Sequence, residues 1–130
     1  MIVLDASAAL ELLLGTDPGI RLGARLLGEN ERLCAPHLLD VEVAHVLRRY
    51  ERSGDLTSAR AKAALVDLAE LPIVRYAHAP LLLRMWQLRS NLTAYDAAYV
   101  ALAEALECPL WTFDSKLAAA PGHRAQIEVI

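Results

Sequence analysis

This chain of 130 residues contains several short runs of consecutive apolar residues. Longer stretches, in which apolar and polar residues are mixed, separate these runs. Short apolar runs bounded by polar or turn-forming residues are typical of buried strands. The pattern predicts five strands, which are Ile2–Leu4, Leu33–Ala35, Ile73–Tyr76, Leu110–Phe113 and Ile127–Val129.

The stretches between the predicted strands repeat their apolar positions at helical spacing. They predict helices over Ala8–Leu14, Pro18–Leu27, Leu39–Arg52, Ser58–Glu70, Pro80–Leu88 and Ala94–Leu106, with a short turn near Ser115–Ala119. The segment Ala97–Leu106 is apolar on almost every side, so we expect it to be deeply packed. Strands that alternate with helices indicate a parallel sheet covered on both faces. We therefore predict an α/β fold with a five-stranded parallel sheet, as one domain over residues 1–130.

Composition narrows the class of protein. A hydrophobic fraction of 55% argues against disorder. The N-terminus reaches an acid at Asp5 without a basic leader, and Glu104 and Glu107 interrupt the most apolar stretch, so we expect neither a signal peptide nor a membrane span. These features predict a cytosolic protein. Thirteen basic and sixteen acidic residues give a net charge of −3, which does not favour nucleic-acid binding through charge alone.

Acidic side chains stand where predicted strands and helices meet loops. Asp5 follows the first strand and Asp114 follows the fourth, while Glu42 and Asp96 lie in the first turns of two predicted helices. In parallel sheets, ligands bind beyond the carboxyl ends of the strands, so these acids can gather at one edge. Clustered carboxylates repel each other unless cations are bound. Because no Cys or His cluster accompanies them, they favour Mg²⁺ or Mn²⁺.

Each acid also has a simpler interpretation. Asp5 and Asp114 could each cap the helix that follows, and Thr93-Ala94-Tyr95-Asp96 resembles a capping box. Glu42 lies beside the apolar stripe of its helix, where an acid needs a partner, a cation or a raised pKa. A salt bridge from Glu42 to one of the eleven arginines is the alternative to a metal.

Hydroxyl groups accompany two of the acids. Ser7 lies two residues after Asp5, and Thr112 lies two residues before Asp114, so in extended backbone each would point the same way as its acid. Each hydroxyl could orient a carboxylate or a bound water. If metal ions neutralise the four acids, twelve acids remain beside thirteen basic residues, and the charge objection to a polyanionic substrate largely disappears.

Four segments together resemble one protein family. They are Val3-Leu4-Asp5-Ala6-Ser7-Ala8, Pro36-His37-Leu38-Leu39-Asp40-Val41-Glu42-Val43, Thr93-Ala94-Tyr95-Asp96-Ala97-Ala98-Tyr99-Val100-Ala101-Leu102-Ala103 and Thr112-Phe113-Asp114-Ser115-Lys116-Leu117. These segments resemble PIN domains and, within that family, the VapC toxins of bacterial toxin–antitoxin pairs. The match runs in order from the first strand towards the last.

The resemblance implies a metal-dependent endoribonuclease with a PIN-like α/β/α fold. Asp5, Glu42, Asp96 and Asp114 would be its catalytic quartet and would hold one or two Mg²⁺ or Mn²⁺ ions that activate water. Ser7 and Thr112 would be supporting polar residues. The products would carry a 5′-phosphate and a 3′-hydroxyl. The resemblance also implies a homodimer and a cognate antitoxin whose tail covers the site.

Contacts to RNA phosphates could come from Arg48, Arg49 and Arg52 on the Glu42 helix, or from Lys116, although a solvated helix face explains these side chains equally well. Two other functions stay open. One is a PIN nuclease that matures RNA as a housekeeping task, and the other is a catalytically inactive regulatory or scaffold domain. The lack of an added RNA-binding module favours the toxin over the housekeeping nuclease.

Overall fold

Five strands and seven α-helices alternate along the chain in a computed structural model that describes residues 1–130. The strands are β1 (Ile2–Leu4), β2 (Leu33–Pro36), β3 (Ile73–Tyr76), β4 (Leu110–Thr112) and β5 (Ile127–Val129). The helices are α1 (Ala6–Leu14), α2 (Asp17–Glu29), α3 (Leu38–Ser53), α4 (Ser58–Glu70), α5 (Leu82–Gln87), α6 (Ala94–Leu106) and α7 (Ser115–Ala119). None of these helices combines the length and apolar character that crossing a bilayer requires.

The predicted elements are all present, and most bounds agree within two residues. The largest difference is the predicted helix Pro80–Leu88, which is a 3₁₀ turn over Ala79–Leu81 followed by α5. Pro80 has no N–H to donate, so it is tolerated in this first turn. Helix α1 begins at Ala6 instead of Ala8, because the Asp5 side chain accepts a hydrogen bond from the Ala8 N–H and caps the helix early.

The sheet is parallel throughout, in the order β3-β2-β1-β4-β5. This confirms the predicted five-stranded parallel sheet. From β1, the chain adds β2 and β3 on one side and then β4 and β5 on the other, so the strand order reverses between β1 and β4. Such a reversal leaves a crevice at the carboxyl ends of the two strands. Asp5 and Asp114 follow those ends.

Helix α6 is the most deeply buried helix. Every residue from Ala97 to Ala103 is at most 2% exposed, which confirms the prediction that this helix is deeply packed. The helix contacts β1 and β2, and four of those seven residues are alanine, whose small side chains allow close approach to the sheet. This packing holds α6 in place, so the backbone positions of the residues at its N-terminal end are fixed.

Helices α1 and α2 pack so closely that a side chain cannot fit between them at Gly19. A Cβ atom at Gly19 would lie 1.8 Å from the carbonyl oxygen of Glu11. The turn between the helices is closed by Gly15, which has a φ of 62° and caps α1 in the left-handed region. This close approach fixes the second turn of α1 beside the crevice.

Glu104 joins α6 to α5 and to the C-terminal segment. Its carboxylate accepts hydrogen bonds from Arg84 Nε at 2.6 Å and Arg84 Nη2 at 3.0 Å, and from the Arg124 N–H at 2.7 Å. The side chain is only 6% exposed. The Arg84 hydrogen bonds outweigh burial and hold the pKa of Glu104 below its ordinary value of 4.5.

We expect Glu104→Gln to lower the free energy of unfolding by about 2 kcal/mol, because a charge-assisted pair becomes a neutral one. The loss should be present above pH 4.5, the ordinary value, and should shrink as the pH falls through the depressed pKa of the folded protein. Urea unfolding at several pH values measures it. The matched control is the exposed neighbour Glu107→Gln, for which we expect no change. Equal effects from the two variants would contradict the prediction.

Candidate active site

A cavity of about 330 Å³ opens at the crevice between the carboxyl ends of β1 and β4. Four elements surround it: α1, α3, α6 and the turn from β4 into α7. All four acids singled out from the sequence line this cavity, namely Asp5, Glu42, Asp96 and Asp114. Asp5 is buried at 7% exposure, Glu42 and Asp96 are half-buried, and Asp114 is exposed at the rim. The solvent exposure of the acids thus increases from the floor of the cavity to its rim.

Asp5 is held by three hydrogen bonds. Its Oδ1 atom accepts from Ser7 Oγ at 2.6 Å and from the Ala8 N–H at 3.0 Å, and its Oδ2 atom accepts from the Thr112 hydroxyl. Burial raises the pKa of Asp5, while these hydrogen bonds lower it. Asp5 therefore caps α1 and also presents a fixed carboxylate to the cavity, so the two interpretations of this residue are compatible.

The two hydroxyls support Asp5 in a different way from the one expected. Ser7 lies in the first turn of α1 and not in extended backbone. Thr112 donates to the side chain of Asp5, and its Oγ1 atom accepts from the Asp114 N–H at 2.9 Å. Ser7 Oγ accepts from the Phe113 N–H at 2.9 Å. The hydroxyls therefore join the end of β1 to the end of β4 around a single carboxylate.

Asp96 and Asp114 stand at the first turns of two helices. Asp114 caps α7, since its Oδ1 atom accepts from the Lys116 N–H at 2.8 Å. Thr93 caps α6 by accepting from the Asp96 N–H at 3.2 Å. The carboxylate of Asp96 does not return the second hydrogen bond of a capping box. It lines the cavity, and the nearby Thr93 hydroxyl lowers its pKa.

Glu42 has no ion-pair partner, so the alternative of an arginine salt bridge does not occur. Its Oε1 atom is buried and makes no hydrogen bond. Burial raises the pKa of Glu42, and the charges of Asp96 and Asp5 raise it further, while the nearby Tyr99 hydroxyl lowers it. A buried oxygen with neither donor nor cation is costly in a folded protein.

The four acids act on each other electrostatically. Burial is the first cause of the raised pKa of Asp96, and the charges of Asp114 and Asp5 add to it. Asp114 likewise raises the pKa of Asp5. The four carboxylates line one cavity, so their negative charges repel one another. A divalent cation relieves such repulsion, and hard oxygen donors suit Mg²⁺ or Mn²⁺.

Helical spacing brings further residues to the cavity, and of these the sequence analysis singled out only Arg49. On α3, the positions after Glu42 at four, seven and eight residues are Val46, Arg49 and Tyr50, and all three line the cavity. Val46 and Tyr50 therefore face the site. Glu11, one turn after Ser7 on α1, is a fifth carboxylate in the wall. The i, i+4 spacing from a candidate acid was the available signal.

Among the basic residues considered for RNA contacts, only Arg49 lines the cavity. Arg48, Arg52 and Lys116 are exposed outside its wall. The wall thus contains five carboxylates and one guanidinium. This guanidinium makes no salt bridge, so it is available to an anion that enters the cavity.

The carboxylates in the cavity suit a cation that keeps several bound waters better than one whose ligands all come from the protein. No three His, Cys, Asp or Glu side chains are gathered closely enough to coordinate one ion together. Mg²⁺ usually retains several waters and takes only one or two carboxylates directly, with others reached through water. The unpaired Glu42 Oε1 atom and the carboxylate of Asp96 are suitable direct ligands.

Comparison with known proteins agrees with this architecture. The family model "PIN domain" matches residues 2–122. Ribonuclease VapC1 from Mycobacterium tuberculosis is 47% identical over 129 residues, covering 98% of this chain and 96% of the relative. The crystal structure of PAE2754 from Pyrobaculum aerophilum superposes with a TM-score of 0.75 and 26% identity, covering 98% of this chain and 83% of that one. VapBC2 from Rickettsia felis, bound to a DNA fragment from its promoter, gives 0.71 at 15% identity, covering 98% of each chain. The chain belongs to the PIN-domain family and, within it, to the VapC proteins.

Proposed function

We propose that the chain is a divalent-metal-dependent endoribonuclease that acts as the toxin of a toxin–antitoxin pair. The observation that carries the proposal is one cavity lined by Asp5, Glu42, Asp96 and Asp114, in which Glu42 keeps a buried oxygen without a partner. Burial and the neighbouring acids raise the pKa of Asp5, Glu42 and Asp96. The high identity to a protein named as a ribonuclease supports RNA as the substrate.

The four acids are proposed to have different roles, which follow from how deeply each side chain is buried. Asp5 is immobilised by Ser7, Thr112 and the Ala8 N–H, so it provides a fixed anionic floor. Glu42 and Asp96 are half-buried carboxylates suited to hold the ion directly, and Asp114 at the rim faces the entering phosphodiester. One or two Mg²⁺ or Mn²⁺ ions in this cavity supply water activation at neutral pH and offset negative charge on the phosphate.

An RNA cleavage assay tests this proposal directly. Purified protein is incubated with a structured RNA and Mn²⁺ or Mg²⁺, and separately with a chelator. We expect internal cleavage with the metal and none with the chelator, and products that carry a 5′-phosphate and a 3′-hydroxyl. Cleavage that continues at full rate in chelator, or products that end in a 2′,3′-cyclic phosphate, would refute a metal-dependent hydrolysis.

Partners follow from the same family membership. We propose a cognate antitoxin that covers the cavity. The VapBC2 complex from Rickettsia felis, a structural neighbour of this chain, supports an antitoxin partner. We also propose a homodimer. Large apolar side chains stand exposed on α5, with Leu83 at 82% and Trp86 at 66%, and a second copy can bury them. Light scattering on the purified chain measures the mass, and a monomer at micromolar concentration would contradict the dimer.

Arg49 is the basic residue that we expect to contact the scissile region of RNA. Arg49→Ala should raise KM by about tenfold, since one charge-assisted contact to phosphate is lost. The adjacent Arg48→Ala serves as the control, because Arg48 is equally exposed but lies outside the cavity wall. Steady-state kinetics on a short RNA measure KM for the two variants. An equal rise in KM for both variants would favour a diffuse electrostatic effect over a specific contact.

A further inference from the structure

Two buried polar atoms near the bottom of the cavity lack hydrogen-bond partners. They are the hydroxyl of Tyr99 and the Oε1 atom of Glu42. Tyr99 lies on α6, one turn after Asp96, and is only 2% exposed. A phenylalanine would fill the same volume without a buried hydroxyl, so packing alone does not explain the tyrosine. A buried donor and a buried acceptor, both unpaired and both lining one cavity, point to a shared role.

The two groups influence each other. Burial is the main cause of the raised pKa of Tyr99, and the charge of Glu42 is the next cause. In turn, the Tyr99 hydroxyl lowers the pKa of Glu42. Both groups line the same cavity, and they do not form a hydrogen bond of normal geometry in this structure. Tyr99 is confined by the packing of α6, at 2% exposure, whereas Glu42 is half-buried at the cavity wall.

The other possible hydrogen-bond donors to Glu42 either bond to other groups or are less buried than Tyr99. The hydroxyls of Ser7 and Thr112 donate to Asp5. Arg49 lines the same cavity but forms no ion pair with Glu42. Tyr50 and His45 also border Glu42, but Tyr50 is half-buried and His45 is exposed. Tyr99 is thus the buried donor available to this carboxylate.

We propose that Tyr99 is a positioning residue, whose hydroxyl donates to one oxygen of Glu42 and directs the other oxygen towards the divalent cation. The inference rests on the proposed function, because it needs a cation in the cavity. A hydrogen bond from a neighbouring residue commonly orients a carboxylate ligand and increases metal affinity. Tyr99 suits this role because its ring is rigidly packed, so the bond fixes the glutamate and leaves the tyrosine in place.

The test uses Tyr99→Phe, which removes only the hydroxyl. Calorimetric titration with Mn²⁺ alone, in the absence of RNA, should give a Kd about tenfold higher than that of the wild type. The unfolding midpoint in chelator should not fall, because no hydrogen bond of the metal-free protein is lost. Cleavage by the variant should recover when Mn²⁺ is raised above its new Kd. The matched control is Tyr76→Phe at the end of β3, away from the cavity, which should leave the Kd unchanged.

The outcomes separate this inference from the proposed function. A Kd for Tyr99→Phe within twofold of a measurable wild-type Kd would overturn the role of Tyr99 and leave the nuclease proposal standing. A weaker Kd accompanied by a lower unfolding midpoint in chelator would also overturn it, because the hydroxyl would then be structural. Failure of the wild-type protein to bind Mn²⁺ would overturn both. A raised Kd with an unchanged or higher midpoint would support positioning.

Discussion

Replacing Asp96 with asparagine is expected to lower kcat/KM for RNA cleavage by about 10³-fold, the size of effect seen when one electrostatic contact to the reacting centre is removed. The substitution keeps the shape of the side chain and removes its charge. It should leave the fold intact, because the cap of α6 uses only the backbone N–H of Asp96. Single-turnover cleavage with saturating Mn²⁺ measures the loss.

A matched control for this prediction is Asp67→Asn, which removes an exposed acid on α4 that lies away from the cavity. We expect wild-type rates from it. Circular dichroism and the unfolding midpoint establish that both variants are folded. If folded Asp96→Asn cleaves RNA within tenfold of the wild-type rate, Asp96 does not act in the reaction.

The second large effect concerns stability and the cation. At a Mn²⁺ concentration 100 times its Kd, the wild-type protein should gain about 2.7 kcal/mol of unfolding free energy through binding to the folded state. Glu42→Gln should lose most of this gain, because it removes one of the two carboxylates best placed to hold the ion. Thermal unfolding with Mn²⁺ and with a chelator measures both values. Equal stabilisation of the two proteins by Mn²⁺ would exclude Glu42 as a ligand.

In chelator we expect the opposite order of stability. Glu42→Gln removes a half-buried charge that Asp96 and Asp5 repel, so it should stabilise the protein by about 1 kcal/mol, a modest value because water screens the half-exposed site. An acid with a raised pKa in the folded state destabilises that state when it is ionised. The advantage of the variant should therefore be largest at neutral pH. It should shrink as the pH falls through the raised pKa towards the ordinary value of 4.5.

This pair of predictions describes one trade-off. The acids that lower stability in chelator are the ones that bind the cation, so loss of function and gain of metal-free stability should occur together at Glu42. Keeping several negative charges at such a site lowers the stability of the folded protein unless a bound ligand offsets their repulsion. An unfolding midpoint for Glu42→Gln below that of the wild type in chelator would show that Glu42 stabilises the fold by itself.

The helix and strand pattern was determined by the sequence alone. The alternation of apolar runs and helical periodicity reflects contacts between near neighbours, so α4, α6 and the strands β1, β3 and β5 have the predicted bounds. The segment Ser115–Ala119, predicted as a short turn, is the helix α7. The parallel sheet followed from the alternation itself. The four acids were identified because each stands at the end of a strand or the start of a helix, which is a local feature.

Only the tertiary structure decided how these acids are supported and which neighbours they have. Ser7 and Thr112 are 105 residues apart, and both bond Asp5 because β4 lies directly beside β1 in the sheet. The isolation of Glu42 Oε1, the presence of Tyr99 in the same cavity, and the position of Arg49 but not Arg48 in its wall depend on how α3 is rotated against α6. Strand order and helix rotation result from packing of the whole core, and that packing leaves no local periodicity in the sequence from which it can be read.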